Sequence, residues 1–340
     1  MWTSLCFLSL YTVGAASSLD VERWSTSHPE FYKSVTFPWV IKEFASCIEC
    51  PIKANYTWDY YFAQLLDMRV RNFILGGNTV NRGSRIERIQ RQFYPPWDRS
   101  GFMSLKHEVE CRGGRILADL GLFWFPSWRE TFNKTAFLES VANFTKDYPV
   151  DGFILGFPVS SPLSWETDII QSMRECFEAI KELRMVSGLR FSSEKWYRVR
   201  DAGLGGVADL NFAYLYSDTP EFITNRFARQ VVRNATLAGV DKTTLILGVS
   251  LLSSLNMHGY SSVILDLHGK PDGPGWVRLA HGTLVYYNSQ KKARDKLLYA
   301  KRDGLHGIYL EGGNLWFQDL LPWDVRSLCY ALSKLARRLR

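Results

Sequence analysis

The sequence reads as a (β/α)8 TIM barrel, and two observations lead there. Short apolar runs recur about eight times along the 340 residues, and segments of helical periodicity separate them. The runs occupy 37–44, 70–75, 116–120, 152–157, 189–192, 210–216, 245–252 and 307–310. Most are continuous rather than alternating, which suits parallel strands covered on both faces. Between them, residues 132–148 set Phe137, Val141, Phe144 and Tyr148 on one helical stripe. Residues 289–303 place Ala293, Leu297 and Ala300 on one side, with Lys and Arg on the other. A doubly wound open sheet is the alternative reading of the same alternation. No Gly-rich phosphate loop follows the first run, which counts against a nucleotide-binding version.

Composition narrows the class. The chain is 46% hydrophobic, 14% aromatic and 22% charged, too apolar for a disordered chain and too long for a peptide hormone. No linker or low-complexity tract divides it, so residues 19–340 are expected to form a single domain. The one irregular stretch, 253–282, follows the seventh run, where a barrel accepts an excursion on its functional face. Past the N-terminal segment no apolar run is long enough to span a bilayer, so no membrane span is expected. The formal net charge is +7, with Lys and Arg spread along the chain and locally concentrated at 69–99 and 334–340. Both stretches fit solvated helix faces, and no nucleic-acid partner is expected.

The first residues read as an export signal. An apolar run at 5–13 is followed by Gly14-Ala15-Ala16-Ser17-Ser18, which makes 1–18 a signal peptide cleaved near Ala16. No Lys or Arg precedes the apolar run, and a buried first element is the competing reading. Sequons at Asn55, Asn133, Asn143 and Asn234 agree with a secreted, extracellular glycoprotein. Without Cys6, five cysteines remain: Cys47, Cys50, Cys111, Cys176 and Cys329. The lone pair Cys47/Cys50 has no second pair or His pair at zinc-ligand spacing, so a structural disulfide or buried thiols are expected, with no metal and no cofactor.

The fourth run carries the functional signal. It reads Asp151-Gly152-Phe153-Ile154-Leu155-Gly156-Phe157-Pro158, preceded by Tyr148. Here the chain resembles the family 18 glycoside hydrolases, the chitinases and chitinase-like proteins, whose fourth strand carries D-G-x-D-x-D-x-E. Asp151 and Gly152 match the opening. Ile154 and Gly156 stand where the inner aspartates belong, and Pro158 stands at the catalytic glutamate. Other landmarks follow in order across residues 35–332. Asp119-Leu120-Gly121-Leu122 is similar to the S-x-G-G of the third strand. Tyr214, Tyr216 and Ser217 stand at the Met, Tyr and Asp of the sixth, and Gly248 answers the glycine of the seventh. From Tyr287 to Ile308, Lys296, Tyr299, Ala300, Gly304, Leu305 and Gly307 match the last helix and strand. Glu311 replaces the Trp that ends the eighth strand, with Trp316 nearby.

The resemblance implies hydrolysis of β-1,4-linked N-acetylglucosamine by attack of the substrate's own acetamido oxygen, while the glutamate protonates the leaving oxygen. Proline has no proton to donate, and with the aspartates gone the developing oxazolinium loses its electrostatic partner. The expectation is therefore a catalytically inactive chitinase-like protein whose partner is a glycan or chito-oligosaccharide. The alternative is an active glycosidase with relocated acids, for which Asp119, Glu311 and Asp218 are the candidates. A third possibility is a scaffold whose groove has been filled by side chains such as Phe153 or Phe157. Expected ligand-binding residues are Tyr216, Tyr214, Trp124, Asp119, Glu311 and Trp316. Trp128 and Trp323 are further aromatics near strand ends, on which sugar faces could stack.

Overall fold

The structure, a computed structural model, describes residues 32–36, 58–88, 99–122, 132–157, 166–254, 258–311 and 319–339. In chain order the elements are β1 (Tyr32–Thr36), α1 (Trp58–Asp67), β2 (Asn72–Val80), β3 (Ile86–Arg88), α2 (Arg99–Cys111), β4 (Arg115–Leu122), α3 (Lys134–Asp147) and β5 (Gly152–Gly156). Then come α4 (Glu166–Glu182), β6 (Val186–Ser192), α5 (Trp196–Asp201), β7 (Leu210–Leu215), α6 (Asn225–Leu237) and β8 (Leu245–Ser250). The chain closes with α7 (Tyr260–Leu265), β9 (Trp276–Arg278), β10 (Leu284–Tyr286), α8 (Gln290–Arg302), β11 (Gly307–Glu311) and α9 (Leu328–Arg338).

Eight of these strands pair in parallel around a ring, β1-β2-β4-β5-β6-β7-β8-β11, and β11 returns to β1. The ring with its intervening helices is the (β/α)8 barrel, and the open-sheet alternative falls away. Its first strand is Tyr32–Thr36, ahead of the expected 37–44, which lies outside the described residues. β2 runs on past the expected 70–75. A bulge between Leu75 and Asn78 carries it into a short antiparallel pairing with β3. Gly77, at φ 78°, turns the backbone there, and the Asn78 amide donates to the Leu75 carbonyl at 3.1 Å.

The strands read as continuous apolar runs because both faces are buried. Ile74, Leu117, Ile154, Leu210, Phe212, Ile246 and Tyr309 fill the ring interior. The alternate residues, among them Phe73, Ile116, Phe153, Leu155, Leu189, Leu247 and Ile308, pack outward under the helices. Helix starts follow ordinary capping chemistry. The side chains of Asn133, Thr224, Ser289 and Ser327 accept backbone N–H groups at the starts of α3, α6, α8 and α9. Both amphipathic stretches read from sequence are helices with nearly the expected bounds. Among the described residues no helix is long and apolar enough to cross a membrane.

α8 is anchored by a buried lysine. Lys296 is fully enclosed, and its Nζ donates to the Ile223 carbonyl at 3.0 Å and to Asn288 Oδ1 at 2.9 Å. Asn288 in turn donates to the Ser250 carbonyl at the end of β8. Burial, with Lys292 nearby, brings the Lys296 ammonium down to about 7 from its ordinary 10.5. Between those values the unfolded chain binds the extra proton, so this group makes stability rise with pH across that window. In Lys296→Met the rise disappears. Denaturant unfolding from pH 7 to 10 should show the wild type gaining on the variant by up to about 1.4 kcal/mol per pH unit. A constant difference across that range would mean that the amine does not titrate there.

Candidate functional site

Side chains at the carboxyl ends of barrel strands converge on the mouth, and alternation decides which residues reach it. On β5, Phe153 and Leu155 pack under the helices while Ile154 belongs to the ring interior. Gly156 shares the parity of Ile154: a Cβ built on it would lie 3.3 Å from Arg190 Nη2. The two positions matching the family's inner aspartates therefore face the lumen, one as an apolar filler and the other without a side chain. Pro158, next in that parity, lies outside the described residues, as do Trp124, Trp128 and Trp316.

The space above Gly156 is taken by Arg190 of β6. Its Nη2 lies 2.8 Å from Asp119 Oδ2 on β4, and its Nη1 lies 3.0 Å from Glu311 Oε1 on β11. The three side chains keep only 30%, 17% and 15% of their exposure. Burial raises the Asp119 carboxyl above its ordinary range and the Glu311 charge adds to this, against the pull of Arg190. The two carboxylates raise the guanidinium, which stays charged. Among the described residues Asp119 Oδ1 and Arg190 Nε are enclosed without hydrogen-bond partners. Two of the three acids considered as relocated catalysts are thus ends of a single ion triad, and the second oxygen of Asp119 is enclosed. Asp218, the third candidate, is exposed and accepts from the Tyr216 hydroxyl at 3.1 Å.

Two of the aromatics named from the sequence lie side by side. Tyr214 and Tyr216 stack nearly parallel, their rings 5.8 Å apart and 9° from coplanar. Tyr214 is locked by a 2.8 Å hydrogen bond between its hydroxyl and Ser250 Oγ, and burial raises the phenol well above its ordinary value. Tyr216 is half-buried; its backbone carbonyl accepts from Ser193 Oγ, and Phe222 leans on its ring at 5.6 Å. Trp323 packs edge-on against Tyr60 and Tyr61 in the first turn of α1. Phe153 and Phe157 also turn away from the lumen into the helix-side core, so neither fills the groove.

The retained opening of the motif does structural work. Asp151, at the start of β5, accepts from Lys106 Nζ of α2 and from the Ile116 backbone N–H, each at 2.8 Å. That places it at the amino end of the barrel, away from the mouth. A Cβ on Gly152 would meet the Val186 carbonyl oxygen at 2.0 Å, so the β5–β6 approach demands glycine. Arg190 and Ser250 were not among the expected site residues. A signal for Arg190 does exist: Gly188, Arg190 and Ser192 alternate with Leu189 and Phe191, which marks a non-apolar inward face on β6.

Removing the cation should expose the arrangement's cost. Arg190→Met leaves two carboxylates facing each other and is expected to lose about 3 kcal/mol of stability at neutral pH. The loss should shrink at acid pH as Asp119, whose carboxyl burial already raises, takes up a proton and the repulsion between the two carboxyls falls. Urea denaturation at pH 7 and pH 4 measures this, and an equal loss at both would show that Arg190 contributes packing rather than charge.

Neither a scan of protein-family models nor a search of curated proteins by sequence finds a match. Comparison with solved structures does. A chitinase from Bacteroides thetaiotaomicron superposes with a TM-score of 0.63 at 13% identity, over 89% of this chain and 96% of that one. Catalytic domain 2 of the Group II chitinase of Ostrinia furnacalis gives 0.62 at 13% identity, over 91% and 97%. The GH18 chitinase of Cycas revoluta, solved in complex with (GlcNAc)3, gives 0.58 at 13% identity, over 90% and 99%. At that identity the likeness speaks for architecture: the chain has the barrel fold of the family 18 chitinases.

Proposed function

We propose that this chain is an exported chitinase-fold protein that binds N-acetylglucosamine-containing glycans at the mouth of its barrel without hydrolysing them. The carrying observation is on β5. The lumen-facing positions that would hold carboxylates are Ile154 and Gly156, and Arg190 occupies the room that Gly156 leaves. Substrate-assisted hydrolysis needs a proton donor under the scissile oxygen and an anion beside the acetamide. By sequence the donor position is Pro158. The other acids at the mouth, Asp119 and Glu311, are engaged by Arg190 and do not favour a relocated mechanism.

Binding is supported by what remains. Tyr216 presents a half-buried ring braced by Tyr214 and Phe222, the kind of rigid aromatic platform that takes the apolar face of a sugar. The glycan class comes from the shared fold and from the chito-oligosaccharide complexes formed by structural neighbours. Export is supported by the leader-like 1–18 segment and by sequons, of which Asn133 and Asn143 are exposed.

Calorimetric titration with chito-oligosaccharides should give saturable binding, weakened about tenfold in Tyr216→Ala. A fluorogenic chito-oligosaccharide should not be turned over by the wild type at any pH. Nor should Pro158→Glu be active, because Ile154 and Gly156 are unchanged. Absence of binding at high ligand concentration would overturn the lectin reading, and turnover by either protein would overturn the account of β5.

A further inference from the structure

Two routes of contact lead from the enclosed amine of Lys296, and both end at Tyr216. The first is short. β7 is followed by a single 3₁₀ turn, Pro220–Ile223, whose last carbonyl accepts from Lys296 Nζ at 3.0 Å. Phe222, one residue earlier, is fully buried and sets its ring 5.6 Å from that of Tyr216. The second route passes through Asn288, Ser250 and Tyr214. Lys296 Nζ donates to Asn288 Oδ1, and the Asn288 amide donates to the Ser250 carbonyl at 3.0 Å. Ser250 Oγ bonds the Tyr214 hydroxyl, and Tyr214 stacks on Tyr216.

The surroundings of the amine match one protonation state. Lys296, Asn288 and Ser250 are all buried. The Ile223 carbonyl and Asn288 Oδ1 take up two N–H groups, as many as a neutral amine has. An ammonium carries a third, for which no acceptor is found among the described residues, and an unpaired buried donor is costly. The charges that act on Lys296 are Lys292 and Asp295 of its own helix. Around it, Glu221 of the turn is exposed and pairs with Arg226, Arg229 of α6 lies by Tyr299, and the Tyr287 hydroxyl donates to the Lys270 carbonyl. β8 brings no titratable side chain. With burial holding the amine at about 7, both of its forms are populated near neutrality.

The geometry points to Lys296 as a positioning residue for the mouth, fixing the ring of Tyr216 through Phe222 and through Tyr214 at once. This rests on the glycan-binding reading above and adds to it the means by which the platform is held. The neutral amine closes both routes. Protonation gives the nitrogen a third donor to satisfy, which loosens its hold on the turn and on Asn288 together. The platform is therefore firmer above neutral pH than below it.

Fluorine NMR of fluorophenylalanine-labelled protein, with the Phe222 signal assigned by Phe222→Leu, reads the platform without ligand. Between pH 6 and pH 8 that signal should move in the wild type and stay in place in Lys296→Met. Calorimetric titration with the chitin trisaccharide over the same range should show wild-type affinity rising about threefold with pH. Lys296→Met should bind about fivefold more weakly than the wild type at pH 8, without the rise. Asp119 and His258, whose protonation burial also shifts, are present in both proteins, so the difference between the profiles belongs to Lys296. Asn288→Leu, which cuts the Tyr214 route with Lys296 in place, should also weaken the trisaccharide. A wild-type signal and affinity that are flat with pH, or that change equally in Lys296→Met, would overturn the positioning role and leave glycan binding standing. A moving Phe222 signal in a wild type that binds no trisaccharide would keep the coupling and overturn the glycan reading.

Discussion

A guanidinium held between two carboxylates sets the character of this barrel's mouth. Arg190 reaches from β6 to β4 on one side and to β11 on the other, and neither is its neighbour in the ring. The contacts therefore cross the lumen. Ion pairs with this little exposure contribute modestly to net stability, because desolvation offsets much of the Coulombic gain, whereas loss of one partner is severe. The consequence is geometric. Once Arg190 is in place, neither acid can turn toward a ligand without stranding the cation, and the ring's upper layer has a single arrangement.

That arrangement depends on complementary sizes inside the ring. Gly156 leaves room for Arg190. Gly248 does the same for Tyr309, whose ring atoms would lie 2.6–2.8 Å from a Cβ on that glycine. Gly188 accommodates Ile154 and Phe212. Interiors packed to this density respond to substitution as sets, because a side chain enlarged on one strand must displace a partner on the next. Restoring an acid to β5 would thus mean more than adding a carboxylate, since its space is already committed.

How much of this could be read in the sequence differs by layer. The ring was legible because strands buried on both faces leave continuous apolar runs, as at Leu245–Ser250, and because helices such as Gln290–Arg302 carry a clean stripe. The β3 hairpin extension of β2 was not legible, since three residues of mixed polarity make no pattern. Asp119 and Glu311 were identified as mouth residues, but their bridging partner was missed. A lone Arg in a strand reads as an edge or surface residue unless the alternation of Gly188 and Ser192 around it is counted.

The pattern of what β5 keeps and what it lacks has a physical explanation. Asp151 ties α2 and β4 to the amino end of the strand, and Gly152 is compelled by the Val186 carbonyl, so either change would damage the fold. Ile154 and Gly156 answer to packing alone, which an isoleucine and a vacancy for Arg190 satisfy. In the family resembled, those lumen positions carry carboxylates, groups that burial makes expensive and that only chemistry requires. The two ends of this one strand thus divide: the residues that match the family's opening are fixed by the fold, and those that differ sit where packing alone sets the requirement.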